Sequence, residues 1–486
     1  MHTRIPRYSS ISIGLLIAAG IVSSALAADQ ASPDDRSPPS DDQAPTRRLA
    51  LYPAAEPKPA LRYRLLPSLI DLRPGNAAVF YNKAALMFSQ GAKTDELKKV
   101  DEWLEMPIQQ LPQAEVAAFV DRWQNVIREL TYASLREDCD WQTPIREQMP
   151  YTILLPEVQE MRALARLIGL KARLEIAQGK FDDAVRSFGI GYAMAVHVAR
   201  GPTLIQALVG MAIANMVTSA AMDLCQQPDS PNLHWAFTAL PNPLVGLQRA
   251  NQFEFDMFYF WHPEWRHRAG NTYSAAEWQR GWEALADSMA EFDPSWAGNG
   301  GPLRVLGRAV RLYPQAKRWM MEHGRAEDEV ERMPVAQVLL VYTLDTYDQL
   351  RDERFKWAGL PYREMHRRLH EENESLRRES EEREIVPLAG TLLPAIFNVA
   401  LAQARSDRNF CLARIIEALR LHAASHQGRL PERLSDIEEV PIPHDPLTGG
   451  DFVYRLSGET AVLETPLPEG MSPRQHGLRY EISVAH

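Results

Sequence analysis

The sequence predicts a mainly α protein: a multi-helix body, then a C-terminal α+β module in which a long helix lies on a small antiparallel sheet. Three observations predict it. Within Pro156–Cys225, Leu164, Leu167, Ile168, Lys171 and Leu174 share one helical stripe while Arg162, Arg166 and Arg173 lie mostly off it, the three-and-four spacing of a helix with one buried face. From Thr203 to Met222 the chain carries no charge, so that helix is expected to be covered on most sides by others. Near the end, Phe452, Tyr454 and Leu456, and later Leu478, Tyr480, Ile482 and Val484, alternate with other residues, the period of a half-buried strand.

At 486 residues the chain has length for two or three domains and a large core. Its 45% apolar and 24% charged content is that of a globular protein. The formal charge of −10 becomes −12 without Arg4 and Arg7, which argues against a nucleic-acid partner. Cys139, Cys225 and Cys411 are scattered, with no disulfide framework or paired metal-ligand spacing. Two of the three can pair, or all three can serve as small buried apolar groups.

Taken in order, Arg4 and Arg7 precede the apolar run Ile11–Val22, and Ala25-Leu26-Ala27 supplies the small residues that a signal peptidase accepts. The run is short for a bilayer span, so 1–27 is expected to be a signal peptide and no span to remain after its removal. Residues 28–48, rich in Asp, Pro, Ser and Gln, read as a disordered linker. The helical body is expected over 49–390. It opens with an extended Pro-rich segment from Leu49 to Asp71, followed by helices over 77–90, 94–105 and 113–136. A helix from about Leu244 to Trp261 ends at Pro263. Asn299-Gly300-Gly301-Pro302 marks a possible subdivision near 298–302. Helices resume over 303–323 and 335–356, and the charged stretch 363–384 reads as a long solvated helix.

Within the organising stretch, Gly179 ends one helix and Phe181 begins the next, a helical hairpin. The residues GKFDDAVRSF resemble the turn and second helix of a tetratricopeptide repeat, with Ala184 at the helix crossing and Phe181 and Phe188 filling the groove. Pro74-Gly75-Asn76-Ala77-Ala78, with Tyr81 and Ala84, is a fainter echo of a first helix. Two degenerate copies imply tetratricopeptide-like packing without a regular array.

The C-terminal module is expected over 391–486. It runs from a helix ending IIEALRLHAASH through Gly428-Arg429-Leu430-Pro431 and His444-Asp445-Pro446 to Gly449 and the strand residues Phe452–Arg455. This order resembles the soluble part of a major type II secretion pseudopilin. Ile415, Ile416, Leu419 and His422 form the helix's buried stripe, and Ser457-Gly458-Glu459 is a tight connection between strands. The module stands at the end of the chain, its helix carries Arg405, Asp407 and Arg408, and the family's calcium loop has no counterpart in LPEGMSPRQHG. Filament assembly is therefore not implied. The whole arrangement resembles a group of exported bacterial proteins of unknown function.

Trp261, His262, Glu264, Trp265 and His267 are the candidate ligand-site residues, a wet aromatic site for a sugar or a hydrolytic centre. Against this, aromatic side chains at such density commonly fill a core. His366 with His370, and His422 with His426, are four apart on a helix face, but neither pair has an obvious third ligand in sequence. No catalytic residue, cofactor or metal is expected. The reading is a non-catalytic exported envelope protein, periplasmic or secreted, that engages an unknown envelope protein or plays a structural part. The alternative is a hydrolase or carbohydrate-binding protein using 253–267. N-terminal sequencing of the exported protein should show Ala28 first; a chain starting at Met1 and extracted only by detergent would contradict the signal peptide.

Overall fold

The computed structural model describes residues 44–147, 153, 155–268, 272–292, 301–393 and 395–485. The expected leader and residues 28–43 of the expected linker lie outside these. The chain is mainly helical and carries a four-stranded mixed sheet.

β1 (Thr46–Leu51) comes first, so the linker expected to reach 48 gives way to structure three residues earlier. Leu49 and Leu51 are 7% and 1% exposed, and burying that alternating face holds the strand. β2 (Arg73–Asn76) leads into α1 (Ala77–Gly91). Asn76 caps α1 by accepting from the Ala78 N–H at 3.0 Å. Its side chain also exchanges hydrogen bonds with the Asp140 backbone, at 2.8 and 2.9 Å, next to the short parallel pair of β2 with β3 (Arg136–Asp138).

Between them lie α2 (Thr94–Glu105), α3 (Gln113–Arg122) and α4 (Gln124–Ser134). The single helix expected over 113–136 is thus two helices and a strand. Trp123 breaks it, leaving the helical backbone so that its indole meets Phe88 at 4.7 Å and Phe119 at 6.5 Å. Side-chain packing outweighs helix continuity there.

α5 (Pro156–Ala177) and α6 (Phe181–Ala199) form the expected hairpin. Gly179 turns it at φ +71. The Gly179 N–H donates to Ile176 O at 2.9 Å and the Lys180 N–H to Glu175 O at 2.8 Å, a Schellman termination that a residue with a Cβ adopts only under strain. α7 (Leu204–Leu224) is long and apolar enough to cross a membrane by length and composition, yet most of it is buried in protein. Thr203 caps it through the Gln206 N–H at 3.2 Å. Val209 and Ile213 are fully buried, each worth roughly 1.5–3 kcal/mol. A Cβ on Gly210 would stand 2.6 Å from the Ala195 carbonyl, so α6 and α7 meet backbone to backbone. The one-turn α8 (His234–Thr238) follows.

Next come α9 (Gln248–Trp261), α10 (Ala275–Phe292), α11 (Gly301–Glu322), α12 (Glu327–Arg332), α13 (Val335–Phe355), α14 (Tyr362–Arg383) and α15 (Leu388–Leu392). α14, expected to be solvated, buries Met365, Leu376 and Ser380 along one side. Just beyond its end, Glu384 is wholly buried and accepts from the Ala389 and Gly390 N–H groups at 2.7 and 3.2 Å. Burial pushes its carboxyl up to about 7 despite those bonds.

α16 (Ala395–Ser425) then leads to β4 (Val453–Ser457), β5 (Thr460–Glu464), the single turn α17 (Pro473–His476) and β6 (Arg479–Val484). The strand order is β1-β6-β5-β4. β4, β5 and β6 pair antiparallel as expected, but β1 pairs parallel to β6, Leu49 opposite Ile482. The sheet is therefore mixed, because its fourth strand comes from the other end of the chain.

That strand also moves the expected boundaries. Among the described residues, 44–143, 155–250 and 400–485 belong to one compact unit, and 144–153 and 251–399 to a second. The expected module at 391–486 is not separate from the body: one continuous core runs from Leu49 through α5–α7 to Leu412–Leu421 and Ile482. The smaller unit has its own core, including Phe258, Trp278, Leu340 and Ile385.

Asp445 sits in the turn expected from Asp-Pro-x-x-Gly, accepting from the Thr448 N–H at 3.1 Å, with Gly449 at φ +76. It has a partner that the turn motif does not disclose. Arg408 donates to both of its carboxylate oxygens, at 2.7 and 2.8 Å, and both side chains are essentially unexposed. Asp445→Ala would strand a buried guanidinium and should lower stability by about 3–5 kcal/mol. Arg408→Met with Asp445→Leu should recover most of that loss in denaturant melts. A single-variant loss under about 1 kcal/mol would contradict the role of the pair.

Candidate functional site

The structure keeps three of the five expected site residues in contact, with Trp261 stacked on His262 at 4.7 Å and His262 meeting Glu264, and packs Trp265 elsewhere. Trp265 is 4% exposed and stacks on Trp278 at 5.7 Å. A Cβ on Gly281 would come within 2.4 Å of its ring, so α10 presses directly on it. His262 is buried against Phe258, at 5.2 Å, and its Nδ1 lies 3.2 Å from Glu264 Oε1. Burial opposes the Glu264 charge, yet His262 and the residue's own N–H outweigh it and hold the carboxyl below its ordinary value. Glu264 and His267 are exposed and Trp261 is half-buried. Trp261, His262 and Glu264 thus share one contact group at the edge of the core, and Trp265 packs on Trp278 instead.

Next to them is a buried charge network. Tyr259 donates to Asp348 at 2.7 Å, and Arg268 spans Asp345 and Asp348 at 2.8 and 2.6 Å. Burial alone would lower the Arg268 pKa, but the two carboxylates carry it above the ordinary arginine value. A mutually neutralised network of this kind joins α9 to α13; it is not a pair of open acids poised for hydrolysis.

In the larger unit, α2, α5 and α7 enclose a groove of about 330 Å³. Leu104, Ala212 and Met216 give it apolar wall, and the charged rim is mostly paired. Arg166 meets Asp101 at 3.2 Å and Arg173 meets Asp223 at 2.9 Å. Arg162 is different: it pairs with no carboxylate among the described residues. Burial and the adjoining Arg166 hold its guanidinium below the ordinary arginine value, with only partial relief from Asp101. Glu105 lines the same groove, exposed at the end of α2. The helical stripe of α5 placed Leu164 and Leu167 inward correctly, and the same periodicity left Arg162 and Arg166 beside the groove.

Three further residues are brought together at the end of α16. His422 and His426, one turn apart, meet Glu439 on the following loop, with all three donor groups within 4.8 Å of one another. Sequence order hid Glu439, since a loop ligand obeys no helical spacing. The His366 ring stacks on Tyr362 at 6.0 Å, while the His370 side chain lies outside the described residues.

The cysteines are free. Burial pushes the Cys139 and Cys411 thiols up to about 12 and the Cys225 thiol well above its ordinary value, so none is an activated nucleophile. No family model, curated protein or solved structure matches this chain.

The core assignment of the aromatic segment has a direct test. Trp265→Ala should cost about 3–5 kcal/mol in equilibrium denaturation. His267→Ala should stay within about 0.5 kcal/mol of the parent. Equal small losses in both would return the segment to the surface and reopen the ligand-site reading.

Proposed function

We propose that this chain is a non-catalytic exported protein of the cell envelope, periplasmic or secreted, whose larger unit holds a partner protein. In this reading the α5–α6 hairpin is tetratricopeptide-like packing, and the helix, turn and hairpin of the C-terminal part are a pseudopilin-like framework in a structural role. The groove between α2, α5 and α7 carries the proposal. It combines apolar wall with an Arg162 that lacks a carboxylate partner and an exposed Glu105. Apolar floor with charged rim is the composition of a surface that takes a partner's side chains. A partner carboxylate beside Arg162 would supply the charge that burial now leaves uncompensated.

Affinity capture from the native envelope tests this. The wild-type chain should enrich a specific protein, and Arg162→Glu, with its melting temperature checked against the parent, should reduce that recovery about tenfold or more, roughly 1.4 kcal/mol. Equal recovery by both chains, or none above background, would overturn the reading.

A further inference from the structure

The last turn of α16 carries His422, His426 follows directly after the helix and stacks on it, and Gly428 turns the chain so that Glu439 comes back to them. The rings stack with centroids 3.8 Å apart and planes 15° from parallel. His422 Nδ1 lies 3.5 Å from Glu439 Oε2, and His426 Nδ1 lies 3.6 Å from Glu439 Oε1. His422 is more than nine-tenths buried, and its Nδ1 has no hydrogen-bond partner. A buried ring nitrogen in that state is unfavourable, and it is aimed at a carboxylate just beyond good hydrogen-bond reach.

We propose that His422, His426 and Glu439 form a binding site for a first-row divalent transition metal, zinc foremost, completed by water. Three arguments support it. A tetrahedral cation with N and O ligands at about 2.0–2.2 Å sets its donors about 3.3–3.6 Å apart, and the 3.5 Å between His422 Nδ1 and Glu439 Oε2 falls in that interval. Two imidazoles with one carboxylate suit zinc, copper or nickel, whereas calcium requires a shell of oxygens. Finally, the Ser425 hydroxyl donates to Glu439 Oε1 at 2.5 Å, and such outer contacts orient a ligating carboxylate.

The cost falls on His426. Its Nδ1 also meets the His422 carbonyl at 2.9 Å and Ser425 Oγ at 3.0 Å, so loading moves that ring aside. With a side chain 51% exposed, it has room to do so. A bound cation would clip the end of α16 to the loop that leads into the Asp445 turn.

Zinc and cobalt(II) titrations of the full exported chain test the site, read by calorimetry, cobalt visible absorption and melting temperature. One equivalent should bind, with a tetrahedral cobalt spectrum and a higher melting temperature, and calcium should produce neither. His422→Ala, His426→Ala and Glu439→Gln should each weaken zinc binding about tenfold or more and abolish the zinc-dependent rise. If His422→Ala fails to fold, the half-exposed His426→Ala decides, because its metal-free melting temperature should match the parent. Zinc affinity equal to the parent in His426→Ala and Glu439→Gln would place binding elsewhere among the 13 histidines and overturn the proposal. Absence of binding to the parent would do the same.

Discussion

The larger unit depends on one buried guanidinium. Arg420 is fully enclosed and donates to Tyr52 O at 2.8 Å, Pro231 O at 3.0 Å, Ser230 O at 3.0 Å, Ser230 Oγ at 2.6 Å and Glu417 Oε2 at 2.9 Å. Those partners come from the segment after β1, the loop after α7 and α16 itself. Glu417 holds the same junction from its side, accepting from Cys225 Sγ at 3.2 Å, while its carbonyl accepts from Asn232 at 2.8 Å. Taking a guanidinium from water costs several kcal/mol unless every donor is met. All three segments must therefore be in place together, and with them β1 at the edge of the sheet. Burial disfavours the charge, but Glu417 carries the Arg420 pKa above its ordinary value.

The same device recurs. Arg408 with Asp445 closes the C-terminal turn, and Arg408 reaches further to the carbonyls of Pro466 at 2.8 Å and His476 at 3.1 Å. In the smaller unit Arg268, Asp345, Asp348 and Tyr259 perform the equivalent task for α9 and α13. The displaced pKa values of Arg268 and Arg420 therefore mark structural pairing. Glu264, the acid beside aromatic rings that in sequence reads as a site, stays exposed and meets His262, while the acids neutralised nearby are Asp345 and Asp348.

Against this background two polar groups at candidate sites stay incompletely compensated: Arg162 in the α2–α5–α7 groove, which pairs with no carboxylate among the described residues, and the buried Nδ1 of His422 facing Glu439. One lies in a groove suited to side chains, the other in a donor triangle suited to a cation. Both are in the larger unit, on helices whose buried faces are already committed to the core.

The sequence by itself determined the mainly helical character, the α5–α6 hairpin, the buried α7 and the antiparallel run β4–β5–β6. Each is a local matter: apolar spacing of three and four, alternation of two, and glycines at positive φ. Tertiary structure alone decided the rest. Helix 113–136 breaks because Trp123 finds Phe88, a residue outside its own pattern. β1 joins a sheet whose other strands lie over 400 residues away, so the body and the C-terminal segment share one core. Arg408, read as a departure from a familiar helix, is the partner of Asp445, and Glu439 completes a cluster with two histidines. Periodicity reports which face of an element is buried, but it carries no information about which distant segment arrives to cover it.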